Sequence, residues 1–312
     1  MRNLAIVFLL ATLAAVPAAG RDLFVDNRGG DDQLTGTQPR SRSDGSGPLR
    51  TLARALHLAG PGDHIHLIDS GVPYRESVSL VGNRLSGTAA APLVLEGNGA
   101  VLDGSLPVPA GQWEFYHDNR FRFRPPRSEF YQLFLDGRPA VRVFAATASD
   151  SPPKLQPRQW CAHRGAIYFA VEPTKLPADY ALRYASLPTG ITLYHVERVV
   201  IEDLTIQGFQ VDGLSAADSA RRITLRGVTC ASNGRSGLAA GGASQVDLDH
   251  CQLHGNGTAQ LLTLPYSEVH LRHSRLLGDT APGWVDRGGR VYLDQEQIHG
   301  GREAVGAKDR PL

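Results

Sequence analysis

Lysine is nearly missing from this sequence, and none lies between Lys175 and Lys308, so that whole stretch cannot supply a lysine base. Cysteine is equally sparse: Cys161, Cys230 and Cys251 cannot all pair internally, and no His/Cys spacing resembles a zinc site. Cys230 and Cys251 read as thiols filling core volume rather than as a disulfide. Excess charge is absent too. The formal net charge is +1 with both signs interspersed, which offers neither a nucleic-acid track nor affinity for an anionic membrane. The one long apolar run opens the chain. Arg2, the run beginning at Leu4, and Val16-Pro17-Ala18-Ala19-Gly20 read as a secretory signal over residues 1–20, with an apolar core too short for a comfortable span. Removing it leaves roughly 290 residues, expected to be secreted or periplasmic with no membrane span.

Helical room is missing as well, and what fills the space is a repeat. From Val199 to Ile298 the figure apolar-x-apolar-x-x-apolar-x-apolar recurs: Val199, Ile201, Leu204, Ile206; Ile223, Leu225, Val228, Cys230; Val246, Leu248, Cys251, Leu253. Val269, Leu271, Ser274, Leu276 make a fourth pass, and Val291, Leu293, Glu296, Ile298 a worn fifth, in steps of 24, 23, 23 and 22 residues. A unit of that length cannot bury its apolar face alone and must stack on its neighbours. A second strand signal alternates with the first at Ile191–Leu193, Leu214–Ala216, Leu238–Ala240, Leu262–Leu264 and Trp284-Val285, with Gly190, Gly213 and Gly237 preceding three of them. Two or three short strands per coil, joined by tight turns, predict an all-β parallel β-helix.

Columns support the stacking. Glu202, Arg226, Asp249, Arg272 and Asp294 alternate in sign, and Asn233, Asn256 and Asp279 fall at one turn of successive coils, where amides can satisfy turn backbone up and down the stack. A leucine-rich repeat is the rival solenoid, but Arg235 and Thr258 stand where its pattern requires apolar residues, and no helical return segment follows.

Ahead of the regular coils, Leu52, Ala55, Leu56 and Ala59 share one helical face before Gly60-Pro61-Gly62, which predicts a helix capping the first coil. Strand-like segments at Ile65–Ile68, Val78–Val81, Leu93–Leu95 and Val101-Leu102 make the first coils. Residues 21–105 are therefore the cap and first coils, 106–186 an insertion that breaks the rhythm, 187–300 the regular coils and 301–312 a tail. The insertion holds Trp113, Trp160 and the aromatic runs Trp113–Tyr116 and Phe130–Phe134, read either as a sugar-binding rim or as the core of a small β-subdomain.

Phe24-Val25-Asp26, Thr35-Gly36-Thr37, Pro48-Leu49-Arg50-Thr51-Leu52, Pro61-Gly62-Asp63 and Gly71–Glu76 resemble the opening of secreted right-handed β-helix proteins of the pectate-lyase-like superfamily. Leu133-Phe134-Leu135-Asp136-Gly137 with Arg142, and Ala166–Ala170, are similar to the strands of the insertion some members carry. The resemblance implies a substrate groove along one parallel sheet and an extracellular or envelope polysaccharide as partner. If Ile191, Leu214, Leu238 and Leu262 point inward, Thr192, Ser215, Ala239 and Thr263 form a smooth groove floor.

A polysaccharide lyase needs a cation or guanidinium to neutralise the uronate carboxylate and a base to remove the adjacent proton. On this basis Arg235 and His254 are the candidate catalytic residues. Asn233, Asn256, Trp284 and Asp286 are candidate substrate contacts, and Asp212 with Asp279 candidate ligands for calcium. The residues depart from the polygalacturonase pattern of paired aspartates and Gly-His-Gly. A two-carboxylate glycosidase is also disfavoured, since Asp212 and Asp286 stand three coils, about 14 Å, apart, unless Asp103, Asp136 or Glu129 contribute. A lyase acting on an acidic polysaccharide is the leading expectation. A glycoside hydrolase is one alternative, and a non-catalytic carbohydrate-binding or envelope structural protein the other, the latter with a partner at an open C-terminal coil.

Overall fold

A strand whose side chains alternate can bury only one face, so each coil of this chain places its inward residues over those of the coil before. The computed structural model describes residues 20–109, 111–126, 130–145 and 149–301. The expected leader up to residue 19, Glu129 and the tail from residue 302 lie outside the described residues. Three sheets form the walls. The first runs Asp22–Val25, His64–Leu67, Leu93–Glu96, Glu197–Glu202, Arg221–Arg226, Gln245–Asp249, Glu268–Arg272, Arg290–Leu293, all parallel. The second runs Val78–Val81, Ile191–Tyr194, Asp212–Ala217, Ser236–Ala240, Ala259–Thr263, Trp284–Asp286, and the third Val101–Asp103, Thr205–Gln207, Thr229–Ala231, Gln252–His254, Arg275–Leu276.

The predicted columns are real contacts. Val199, Ile223, Val246, Val269 and Val291 pair in register and are fully buried, each contributing about 1.5–3 kcal/mol of burial. Cys230 and Cys251 are free and buried in the same core, where burial pushes the Cys251 thiol up to about 11. Glu202 and Arg226 pair at 3.1 Å on the outer wall.

Two expectations fail in detail. The worn fifth figure is not a coil: Glu296–Ile298 folds back antiparallel on Arg290–Leu293, through Asp294 and Gln295 at positive φ, as a two-residue hairpin turn requires. In the second sheet, Ile191, Leu214 and Leu238 align with Leu261, not Leu262. Leu262 therefore faces outward beside Ala239 and Val285, and Thr263 faces inward, accepting a hydrogen bond from Trp284 Nε1 at 2.9 Å.

The helix Leu52–Leu58 buries Leu52, Ala55 and Leu56 against the Asp22–Val25 and Val78–Val81 strands, the terminal strands of their sheets. Its first turn is satisfied twice over. Thr51 Oγ1 accepts from Arg54 N, and the Glu76 carboxylate accepts from Leu52 N and Ala53 N at 2.9 Å each.

The insertion folds as two mostly antiparallel sheets, with Ser105–Pro107, Leu133–Leu135, Arg138–Pro139 and Leu182–Ala185 in one. The other contains Glu114–His117, Arg120–Phe123, Val141–Arg142, Gln159–His163 and Ala166–Ala170. Phe123, Leu133, Trp160, Ile167, Phe169 and Tyr184 form its own core, which is where most of its aromatic residues go.

Candidate functional site

The turn between the third and second sheets carries most of the residues expected to do chemistry, and it is built around a ladder of buried amides. Asn233 and Asn256 are both 0% exposed. Asn233 Oδ1 accepts from Phe209 N, while its own N and Nδ2 donate to Asn256 Oδ1 at 2.9 and 3.0 Å. Asn256 repeats the step one coil on, but onto Gln260 Oε1, and Gln260 Nε2 then reaches Asp279 Oδ1 and Ala281 O. Both asparagine amides also donate to main-chain carbonyls, of Ile206 and Cys230. With every polar atom engaged, Asn233 and Asn256 hold the turns and have nothing left for a sugar.

The other expected ligands are similarly committed. Asp212 is 1% exposed and takes a two-pronged bond from Arg235, Nε to Oδ1 at 3.0 Å and Nη2 to Oδ2 at 2.5 Å, together with Ser236 Oγ. A carboxylate saturated by a guanidinium and a hydroxyl is not a calcium ligand, since calcium needs six to eight free oxygens. Asp279 faces its own turn, accepting from Gly255 N, Thr280 N and Gln260. Asp212 and Asp279 thus do not make a calcium site, and Arg235 is spent on Asp212. Trp284 is buried in the inward column and Asp286 accepts from Gly288 N in the last coil, both away from the cleft described next. The expected groove floor also differs. The outward column expected to form the floor reads Ser79, Thr192, Ser215, Ala239, Leu262 and Val285, with no titratable group among them.

Titratable groups converge instead under the insertion. The segment Phe130–Gln132 lies across the turns, with Gln132 Nε2 donating to Gly255 O at 3.2 Å. Close approach is possible because Gly234 has no side chain: a Cβ there would stand 2.1 Å from Gln210 O and 2.8 Å from Phe130 Cβ. Gly234→Ala is expected to lower stability by about 1–3 kcal/mol through overpacking, read as a drop in the urea midpoint; an unchanged midpoint would show that the contact is loose.

Beside this bridge opens a cleft of about 590 Å³ between Pro139, Val141, Arg142 and Phe144 of the insertion and Gln207, Ser232, His254 and Asp279 of the coils. Gln207, Ala231 and His254 occupy one outward column of the third sheet, so the cleft runs along the stack. His254 is partly exposed, and its ring makes no hydrogen bond among the described residues.

Arg142 faces it from the insertion. Its guanidinium lies over the Phe144 and Trp160 rings, at 4.8 and 4.9 Å. The Nη1 group donates to Tyr131 O at 3.4 Å, Nε is buried without a partner, and no carboxylate pairs with Arg142 among the described residues. Burial holds its pKa below the ordinary arginine value, yet a guanidinium stays protonated at neutral pH. The cleft thus has a desolvated positive charge on one wall and an unengaged imidazole on the other. Arg142 had been singled out in the sequence only as part of an insertion strand, because nothing in a linear reading places it opposite His254.

Residues 189–298 match the family model for the right handed beta helix region. The coil stack is a right-handed parallel β-helix. A solved structure described as a glycoside hydrolase shares 12% identity and a TM-score of 0.56 over 80% of this chain and 72% of that one. XylC in complex with xylose shares 12% identity, TM-score 0.44, over 90% and 73% of the two chains. The pectate lyase Pel9A shares 15%, TM-score 0.40, over 82% and 54%. At such identities the likeness is one of β-helix fold. No curated protein matches the chain by sequence.

Proposed function

We propose that this β-helix protein acts on an acidic polysaccharide in the cleft under the insertion, cleaving it by β-elimination. The observation that carries the reading is Arg142, a guanidinium desolvated against two aromatic rings and without a carboxylate partner among the described residues, in the same cleft as the unengaged His254. Arg142 pairs with a uronate carboxylate and stabilises the charge that develops when the adjacent carbon is deprotonated. The His254 imidazole takes that proton. The C–H electron pair becomes the new C=C bond, the bond to the glycosidic oxygen breaks, and that oxygen is protonated by solvent. Gln207 and Ser232, on the coil wall, are placed to hydrogen-bond sugar hydroxyls.

A carbohydrate substrate is further supported by the fold shared with a glycoside hydrolase. Two-carboxylate hydrolysis is not favoured: Asp279 is the one carboxylate lining the cleft among the described residues, and main-chain donors occupy it.

The test is to incubate the purified protein with a panel of uronate polymers and follow the ultraviolet absorbance of the unsaturated product, with and without added calcium. One polymer is expected to give a rise, and His254→Ala to reduce its rate by about a hundredfold to ten-thousandfold. Saturable binding without unsaturated product would overturn the lyase reading in favour of a binding protein, and new reducing ends without unsaturation would favour hydrolysis.

A further inference from the structure

Far along the chain from the cleft, the outer face of the first sheet carries a cluster with a different chemistry. Parallel pairing puts Asp22 beside His64, and Phe24 beside His66 beside Glu96. Outward positions of three neighbouring strands therefore bring two imidazoles and two carboxylates together. His66 Nε2 lies 2.9 Å from Asp22 Oδ1 and its Nδ1 2.6 Å from Glu96 Oε2. His64 Nδ1 lies 3.9 Å from the same Asp22 oxygen, and its Nε2 3.4 Å from the same Glu96 oxygen. The rings are 3.9 Å apart, and Phe24 stacks on His66 at 4.9 Å, so the imidazoles are held in place.

Two features separate this cluster from an ordinary charged surface. Lower on the same wall Glu197, Glu202 and Glu268 each pair with an arginine, but Asp22 and Glu96 pair with no arginine or lysine among the described residues. In addition, His64 Nε2 is closed off from solvent with no hydrogen-bond partner. The arrangement divides cleanly. Asp22 Oδ1, His64 Nδ1 and His66 Nε2 converge from one side, and the Glu96 carboxylate backs the far nitrogen of His66 at 2.6 Å. Zinc ligands at 2.0–2.1 Å in a tetrahedron stand about 3.3–3.4 Å from one another, a spacing that the 2.9 and 3.9 Å separations bracket. A carboxylate behind a ligating histidine fixes its tautomer and raises its basicity.

We propose that Asp22, His64 and His66 bind a first-row divalent metal of zinc type, with Glu96 as the positioning carboxylate behind His66. Such an ion ties the first strand of the chain to the second coil strand across the loop that separates them, closing the terminal edge of the first sheet. The second histidine cluster, Asp249 with the stacked His250 and His273, has no backing carboxylate among the described residues and both rings largely in solvent.

The experiment is calorimetric titration of the chelator-treated protein with Zn²⁺, with Co²⁺ absorbance as a second readout and thermal unfolding as a third. One equivalent per chain is expected, with a raised thermal midpoint and a cobalt spectrum of nitrogen and oxygen ligands. His64→Ala and His66→Ala are expected to abolish all three, Glu96→Gln to weaken affinity by about tenfold to a hundredfold, and His250→Ala/His273→Ala to leave them unchanged. Glu96→Gln keeps both imidazoles and the outer-wall packing, so its effect is readable even if a histidine variant misfolds. No uptake of zinc, or uptake lost in the His250/His273 variant and retained in His66→Ala, would overturn the assignment.

Discussion

Arg142→Gln is expected to lower turnover on the uronate polymer by about a hundredfold to a thousandfold, the usual cost of removing a preorganised group that stabilises transition-state charge. On the proposed β-elimination the guanidinium would meet a carboxylate already present in the bound substrate, but its pull would strengthen as the adjacent carbon gains carbanion character. The loss should therefore fall more on kcat than on KM. Arg142→Lys retains a charge while losing the planar fork and its stacking on Phe144 and Trp160, so it is expected to recover only part of the rate. Steady-state kinetics of both variants, with thermal unfolding as a control for the insertion core that Trp160 belongs to, make the test. Wild-type kcat in Arg142→Gln, or an effect confined to KM, would remove Arg142 from the chemistry.

Asn256→Ala is expected to cost roughly 3 kcal/mol or more, because it leaves several buried groups unsatisfied at about 1–3 kcal/mol each. The Asn233 main-chain N–H loses its acceptor and Cys230 O the Asn256 amide, while Asn233 Nδ2 and Gln260 Oε1 each lose one of two partners. Asn233→Ala should cost a similar amount, and the double variant less than the sum, because the two share bonds. Urea unfolding of the three variants measures this. A loss below about 1 kcal/mol in Asn256→Ala, accompanied by weakened glycan binding, would return the asparagine to a substrate-contacting role.

The asparagine column was visible from sequence because successive coils repeat it, but its depth was not. A turn amide spaced by one coil can point to solvent or into the stack. A usable signal did exist: Gly213 and Gly237 sit where a Cβ would come within 2.7 and 2.9 Å of Asn233 Nδ2 and Asn256 Nδ2, so these glycines mark the space the amides fill. The same signal explains the misplaced register at Leu262. Gln260 stands where earlier coils have glycine, its amide replaces the next asparagine in the ladder, and the tandem leucines that follow both satisfy an apolar pattern.

What the sequence established alone is everything a coil must repeat. Inward columns, their spacing near 23 residues and the all-β stack follow from one requirement, that each apolar face meet the next, and that requirement is written locally in every rung. The tertiary structure decided what does not repeat. Arg142 and His254 line one cleft only because an insertion with its own core folds back over the turns at Gly234. His64 and His66 meet Asp22 and Glu96 only because parallel register brings distant segments side by side. Arg235 is held by Asp212 for the same reason. Periodicity specifies burial and can place wall charges one coil apart, as in Glu202 with Arg226, whereas the partners of Arg142 and of the His64–His66 pair depend on packing between segments that share no period.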